Sequence, residues 1–443
     1  MRQPSITRVL LCGVGAAALL VASGAPAFAA HPSKADAKLA KQIRVDASLQ
    51  HVHQMALDVL KGGLNAGSGY HQVWIRDLNT FIEVSLEVNP HDELHYALLM
   101  FFKFQGPTGD IVDGYRVLDP NRTEKPYRTT GLAPGFTSYK NTVEVDQESS
   151  LVQAVYKYVA ITGDRSILGE SIAGRTVLDR LGLALHYLLT ERFDAVHGLI
   201  WSATRADWGD VQPETNPGVL LDSHSHRAFS IYDNAMLLIA IADYVQLLGD
   251  SPDAAHWQSV HDQLQANTLK YLWDKKRHKF IPHVYLDGSP FPADFDENAI
   301  YYHGGTAVAI EAGLLTHKQV AQALRDMDAD VVATHASTIG LTMYPAYPFG
   351  FFKNPGMTIP YTYQNGGDWT WFGGRMVRDL IAQGDIADAY REIQPMVDRV
   401  QRVKGFYEWW SPSNQPHGSA NFRGSAGELG RDIELLQAWA KEH

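Results

Sequence analysis

The chain has 443 residues and carries 38 basic against 49 acidic side chains, a formal net charge of −11. With no basic patch, that balance excludes nucleic acid and anionic membrane surfaces as expected partners and favours a neutral ligand. Cys12 is the only cysteine, which excludes a disulfide framework.

Arg2 and Arg8 precede an apolar run, 9–21, and the segment ends in Ala27-Phe28-Ala29. This is the pattern of a secretory signal peptide, so residues 1–29 are expected to be a leader and the protein secreted or periplasmic. No later stretch reads as apolar for long enough to span a bilayer, and no stable membrane insertion is expected. Residues up to about Lys38 read as a mobile tail. The span 30–443 has no Ser/Gly/Pro linker and reads as one closed domain.

Apolar residues recur at helical spacing through 49–60, 151–161, 178–189, 235–248, 257–272, 320–327, 376–381 and 433–439. Thr162-Gly163-Asp164, Leu248-Gly249-Asp250 and Gln383-Gly384-Asp385 punctuate them. Glycine suits the left-handed position that closes one helix, and aspartate caps the next, so each string predicts a helical hairpin turn. Long loops rich in Gly, Pro and aromatics lie between, at 104–145, 197–230, 282–304, 340–370 and 402–426. The uneven spacing excludes a strict solenoid. Roughly a dozen helices are predicted, enough for six hairpins in a ring with its long loops on one face. A short strand pair is predicted over 279–286.

The loops hold the chemistry. Gly69-Tyr70-His71-Gln72-Val73-Trp74-Ile75-Arg76-Asp77 reads as a glycine-led loop entering a helix. Arg76 only donates hydrogen bonds and ionised Asp77 only accepts them, whereas a hydroxyl does both. The pair suits a polyol, and Trp74 offers a flat face to the C–H side of a sugar ring. The plainer alternative is an Arg–Asp pair closing a helix N-terminus. Next, Asp146-Gln147-Glu148 opens a helix, with Asp146 as an N-cap and Gln147 reaching toward the ring's centre.

In Trp201-Ser202-Ala203-Thr204-Arg205-Ala206-Asp207-Trp208-Gly209-Asp210, two carboxylates flank an indole with a guanidinium nearby. Indole packing removes water and raises a carboxyl pKa, and an adjacent Arg lowers it, so one Asp can be protonated while the other is ionised. An Asx-turn network is the alternative. Tyr363-Gln364-Asn365-Gly366-Gly367-Asp368-Trp369-Thr370-Trp371 offers amides and a carboxylate before two indoles. Gly405-Phe406-Tyr407-Glu408-Trp409-Trp410 surrounds a carboxylate with aromatics, which is costly without a purpose. Seven of the ten tryptophans sit in these motifs, and only Trp257, Trp273 and Trp439 fall in ordinary helical stretches, as a ring-binding cleft requires.

Other chemistries lack support. His224-Ser225-His226 has no third ligand at a helical interval, so no metal is expected. No phosphate loop or dinucleotide fingerprint is present, and no cofactor is expected. Ser149, Ser223 and Ser230 lack nucleophile-elbow glycines.

Taken in order, these residues resemble the (α/α)6 glycosidase superfamily: glucoamylases, trehalases, processing glucosidase I with its bacterial mannosylglycerate hydrolase relatives, neutral invertases and the debranching-enzyme glucosidase domain. Trp74-Ile75-Arg76-Asp77 is similar to the segment that grips the sugar in the −1 subsite. Phe406-Tyr407-Glu408 with Ser411-Pro412 is similar to the late loop carrying the general base. The resemblance implies an all-α (α/α)6 toroid and an inverting, exo-acting α-glycosidase for a neutral oligosaccharide or glycoside. At the acid position the chain departs from the Ser-Gly-Trp-Asp of the glucosidase I relatives. Asp207-Trp208-Gly209-Asp210 looks more like the Asp-Trp-Asn-Asp of the disaccharide phosphorylases, which implies Asp210 as acid with Asp207 as alternative.

Substrate contacts are then expected from Tyr70, Trp74, Arg76, Asp77, Gln147, Trp201, Arg205, Trp208, Gln364, Asn365, Asp368, Trp369, Trp371 and Trp409. Three other readings compete. A disaccharide phosphorylase has no need of Glu408, and a lyase or epimerase would work through Tyr363 and His303 on an anionic sugar. A non-catalytic carbohydrate-binding protein would need the indoles and no carboxylate pair.

Overall fold

The computed structural model describes residues 33–119, 121 and 125–443; the expected leader, 1–29, lies outside the described residues. Among the described residues fourteen α-helices succeed one another: α1 Lys34–Val45, α2 Ala47–Leu60, α3 Ile75–Val88, α4 His91–Phe104, α5 Gln147–Thr162, α6 Ser166–Gly169, α7 Val177–Glu191, α8 Ile231–Leu248, α9 Pro252–Leu272, α10 His303–Glu311, α11 His317–Thr334, α12 Thr370–Gln383, α13 Ile386–Val403 and α14 Arg423–Glu442. Every stretch of helical periodicity falls inside one of them.

Six helices each pack on two others of the set: α3 on α5, α5 on α8, α8 on α10, α10 on α12, α12 on α14, and α14 back on α3. The helices between them in sequence lie against this set, with α7 and α9 on α8, α11 on α10 and α13 on α12. One hydrophobic cluster runs through all of them, and a smaller one around Tyr302, Met343 and Tyr347 underlies the loops. α8 is the one described helix long and apolar enough to cross a membrane, which corrects the expectation from sequence. Its apolar surface has a different use, because 67% of that window is buried within the fold.

Local chemistry corrects three further expectations. The tail to Lys38 is helical from Lys34, because Ser33 and Asp36 form a reciprocal capping box of 3.1 and 3.0 Å. Gly163 and Gly384 close their helices in the left-handed conformation, at φ 70° and 84°. Asp164 Oδ1 accepts from the Ser166 amide at the start of α6, at 2.9 Å, but the other two aspartates do not cap the next helices. Ser251 caps α9, and Asp385 accepts from His317 instead of capping α13. The strands over 279–286 do not pair with each other. Asp274 Oδ1 accepts from the Lys276 and Arg277 amides and turns the chain, so Lys279–Phe280 pairs with Trp273–Asp274. Val284–Tyr285 pairs with Arg227–Phe229.

The α3–α14 contact depends on a glycine. A Cβ on Gly427 would lie 2.5 Å from Phe81 Cα and 2.3 Å from its Cβ. Alanine gains about 1 kcal/mol of helix propensity over glycine, and forced overpacking costs about 1–3 kcal/mol. Because the obstacle includes backbone, the cost wins. Gly427→Ala should lower stability in urea denaturation, and an unchanged midpoint would contradict this packing.

Candidate active site

The entrance to α3 is set by a strand pair. Val73–Trp74 runs antiparallel to Gly114–Val117, with Trp74 opposite Gly114, where a Cβ would lie 2.6 Å from the indole. This pairing and the 2.7 Å bond from the Ile75 amide to the Asp113 carbonyl place Arg76 and Asp77 at the helix start. Arg76 does not close the helix with its neighbour. Its Nε lies 2.6 Å from Asp146 Oδ2, its Nη2 2.6 Å from Glu144 Oε1 and its Nη1 2.7 Å from Asp210 Oδ1. Asp146 is therefore no side-chain cap. It bonds Arg76 and the Tyr232 hydroxyl, at 2.8 Å.

Around this guanidinium opens a cleft of about 470 Å³. It is lined by Tyr70, Trp74 and Asp77 before and within α3, and by Asp113, Lys125, Tyr127, Tyr139, Lys140, Asn141, Glu144 and Gln147 between α4 and α5. Trp208, Asp210, Val219 and Leu220 form a third side, and Tyr363, Gln364, Trp369, Trp371, Glu408 and Phe422 the fourth. The 282–304 loop, expected on this face, contributes none of the lining. Trp74 Nε1, Trp371 Nε1 and Asp77 Oδ1 have no hydrogen-bond partner among the described residues. Two donors and an acceptor in one cleft suit hydroxyls.

Glu408 sits in strand Tyr407–Trp410, at a register shift against Pro416–Ala420. A bulge re-aims a side chain. Here Oε2 accepts from the Ser419 amide and Oε1 from the Tyr70 hydroxyl, each at 2.8 Å. Gly418, at φ 71°, leaves room: a Cβ there would lie 2.5 Å from Glu408 Oε2. Burial pushes the Glu408 pKa up against those hydrogen bonds, and Asp210 adds to the rise.

Asp210 is more open, with 32% of its side chain exposed. Its amide donates to Gln364 Oε1 at 2.9 Å, and Asn141 holds its carbonyl at 2.6 Å. Burial works against its charge, but Arg76 and hydrogen bonds from Glu144 and Gln364 outweigh it and hold its pKa below the usual value. The Tyr363 hydroxyl donates to Asp210 Oδ2 at 3.3 Å and also lies beside Glu408, whose pKa it lowers. One phenol thus stands between the two carboxyls. Tyr363 adopts φ 45°, a strained conformation of the kind found at functional sites. Burial pushes Asp77 up to about 7.

Several expected contacts lie outside this cleft, each with another partner. Asp207 accepts from the Gly305 amide at 2.9 Å, and Arg205 pairs with Asp233 at 2.6 Å. Trp201 lies under Arg192 and Arg227, and Trp409 stacks on His417 with centroids 4.4 Å apart. Asn365 bonds the backbone of Tyr347 and Met357. Asp368 pairs with buried Arg399 at 2.9 Å and exchanges backbone bonds with Trp410, which braces the Glu408 strand. The structure adds Glu144, Asp113 and Lys140, and brings in Tyr363, expected only for a lyase or epimerase. Val143-Glu144-Val145-Asp146 carried a signal for the first: in extended chain, alternate side chains share a face, so both acids point one way.

His53, Glu87 and Glu434 bring possible metal-ligand atoms within 4.8 Å of one another, but Glu87 lies at the end of α3 opposite Arg76. Glu434 is already held by His53 at 2.9 Å and Arg431 at 3.1 Å. His226, from the His-x-His string, pairs with Glu214 at 2.8 Å.

Asp207 yields a pH prediction. Burial raises its pKa to about 8 despite the Gly305 amide, so the folded protein keeps a proton that the unfolded chain loses above 3.8. The associated stability is full below that value and is lost as pH rises toward 8. Asp207→Asn should flatten this part of the profile: its melting temperature relative to the parent should be higher at pH 8 than at pH 5. An equal difference at both pH values would contradict the buried proton.

Neither a protein-family model nor a curated protein sequence matches this chain. Solved structures do. A GH63 mannosylglycerate hydrolase from Thermus thermophilus, in complex with glucose, is 16% identical with a TM-score of 0.59, covering 87% of this chain and 100% of that one. A rhamnosidase from Klebsiella oxytoca with rhamnose bound is 15% identical with a TM-score of 0.58, covering 87% and 63%. A GH78 rhamnosidase of Bacillus sp. GL1 is 15% identical with a TM-score of 0.57, covering 87% and 34%. At these identities the likeness is one of fold: the chain shares the backbone architecture of these glycoside hydrolases.

Proposed function

We propose that this protein is an exported glycoside hydrolase built as an (α/α)6 toroid, with residues 30–443 as one catalytic domain, acting with inversion on a neutral oligosaccharide or glycoside. The observation that carries the reading is the pairing of Asp210 with Glu408 across one indole-lined cleft, with a single phenol between them. The 16% identical mannosylglycerate hydrolase, crystallised with glucose, supports a sugar in that cleft. The Arg2, Arg8 and Ala27-Phe28-Ala29 pattern supports export.

Arg76, with the carboxyls it holds, and Asp77 order the terminal sugar's hydroxyls, and Trp74, Trp208, Trp369 and Trp371 wall its ring. Asp210 gives a proton to the leaving oxygen as the C1–O bond breaks. Glu408 takes a proton from a water attacking the opposite face. Inversion requires room for that water, with carboxyls about 6.5–9.5 Å apart. Glu408→Gln should lower kcat roughly 100-fold or more, the usual scale of general-base catalysis, while sugar binding by calorimetry stays within a few-fold. Near-normal turnover would remove Glu408 from the mechanism. A panel of α- and β-linked oligosaccharides, with the product anomer read by NMR, tests inversion, and activity dependent on added phosphate would point to a phosphorylase.

One observation favours the two roles exchanged: Glu408 is pushed up while Asp210 is held down. Glycosyl fluorides separate the assignments, because fluoride departs without a proton. Whichever residue is the acid, its amide variant should retain turnover of the fluoride, and the variant of the base should not.

A further inference from the structure

Arg76 carries one positive charge and faces three acids: Asp146, Glu144 and Asp210. Glu144 and Asp146 are 4% and 1% exposed, and the neighbouring cations are committed elsewhere. Arg205 pairs with Asp233, and Lys140 donates to Glu148, Gln147 and the Ile111 carbonyl. Three ionised carboxylates would leave uncompensated buried charge, which proteins avoid by retaining a proton.

Hydrogen bonds decide which acid retains it. Asp146 accepts from Arg76 and Tyr232 and is held ionised. Asp210 accepts from Arg76 at 2.7 Å and from Tyr363 at 3.3 Å and is held ionised, with the Glu144 carboxyl on the same guanidinium. Glu144 Oε2 accepts from Gln147 Nε2 at 3.0 Å, whereas Oε1, although 2.6 Å from Arg76 Nη2, accepts no aligned hydrogen bond. With no donor aligned on it among the described residues, that oxygen can carry the proton while Asp210 occupies the other Nη of the same guanidinium. Burial drives the Glu144 pKa well up, Arg76 opposes, and Asp210, Asp146 and Asp113 reinforce the rise.

We propose that Glu144 is the proton store for Asp210: the two carboxyls, held side by side on Arg76, share one proton that Glu144 carries at rest and passes to Asp210 for delivery to the departing oxygen. This rests on the assignment of Asp210 as the acid. The Glu144 O–H bond breaks as an Asp210 O–H bond forms, and that proton then joins the leaving oxygen, which takes the electron pair of the broken C1–O bond. Water supplies the new C1–O bond and leaves its proton on Glu408. The pair ends one proton short and Glu408 one proton richer, and exchange with solvent restores both. The store explains how an aspartate held ionised by a guanidinium serves as an acid.

The test compares wild type with Glu144→Gln, which keeps the acceptor for Gln147, on the methyl glycoside and the glycosyl fluoride of a sugar that wild type hydrolyses. The variant should lose roughly 100-fold or more in kcat on the methyl glycoside and only a few-fold on the fluoride. Its alkaline limb of kcat/KM should move to lower pH, and Glu144→Asp should recover part of both. Equal losses on both substrates with an unmoved limb would overturn the proposal.

An infrared difference spectrum at neutral pH reads the proton without turnover. The wild-type-minus-Glu144→Gln difference should contain a protonated-carboxyl band, while the band of buried Asp207, common to both proteins, cancels, and a difference without that band would also overturn the store. Wild type inert on every glycoside would instead sink the hydrolase reading, and with it the role of the store. Should Glu144→Gln not fold, Asp210→Asn supplies the infrared comparison: replacing the carboxylate acceptor by a neutral amide should shift the Glu144 band, and an unshifted band counts against the pair.

Discussion

The site depends on one guanidinium. Arg76, in the first turn of α3, ties the start of α5 through Asp146, the segment before it through Glu144, and the 201–230 loop through Asp210. Three separate stretches meet because one delocalised fork presents donors in fixed directions, which a lysine cannot do. The surplus of carboxyls around it sets the protonation of the cleft, since every acid near Arg76 titrates in the field of the others.

Four of the six mutually packed helices deliver the cleft at their N-terminal ends. Arg76 and Asp77 open α3, Gln147 opens α5, Trp371 lies in the first turn of α12, and Phe422 precedes α14. The other two hold the acid-bearing loop from behind: Asp233 in the first turn of α8 takes Arg205, and the Gly305 amide in the first turn of α10 takes Asp207. Helix N-termini carry partial positive charge, so their convergence favours an acidic site. Asp207 and Arg205 thus position Trp208 and Asp210 at the cleft.

The opposite wall is braced by Asp368, paired with Arg399 and bonded through its backbone to Trp410. A bulge and Gly418 then turn Glu408 toward Tyr70 and Tyr363. Asp210, more open and bound to Arg76, and Glu408, buried among phenols, occupy different environments, and that contrast lets two carboxyls take different roles.

Helical periodicity, the closing glycines and the order of long loops were legible in the chain, because they arise from local backbone preference and the 3.6-residue repeat. So were Trp74, Arg76, Asp77, Asp210 and Glu408, whose residue types are hard to explain in a plain loop. Tertiary structure decided which carboxylate of Asp207-Trp208-Gly209-Asp210 faces the cleft, since a left-handed residue at Asp207, φ 55°, sends it to α10 instead. It also decided that Trp201, Arg205, Asn365, Asp368 and Trp409 brace the walls, and that Glu144 joins Asp210. Spacing along a chain records which side chains are close in sequence. The partner that satisfies a buried charge comes from a different segment, and only packing brings the two together.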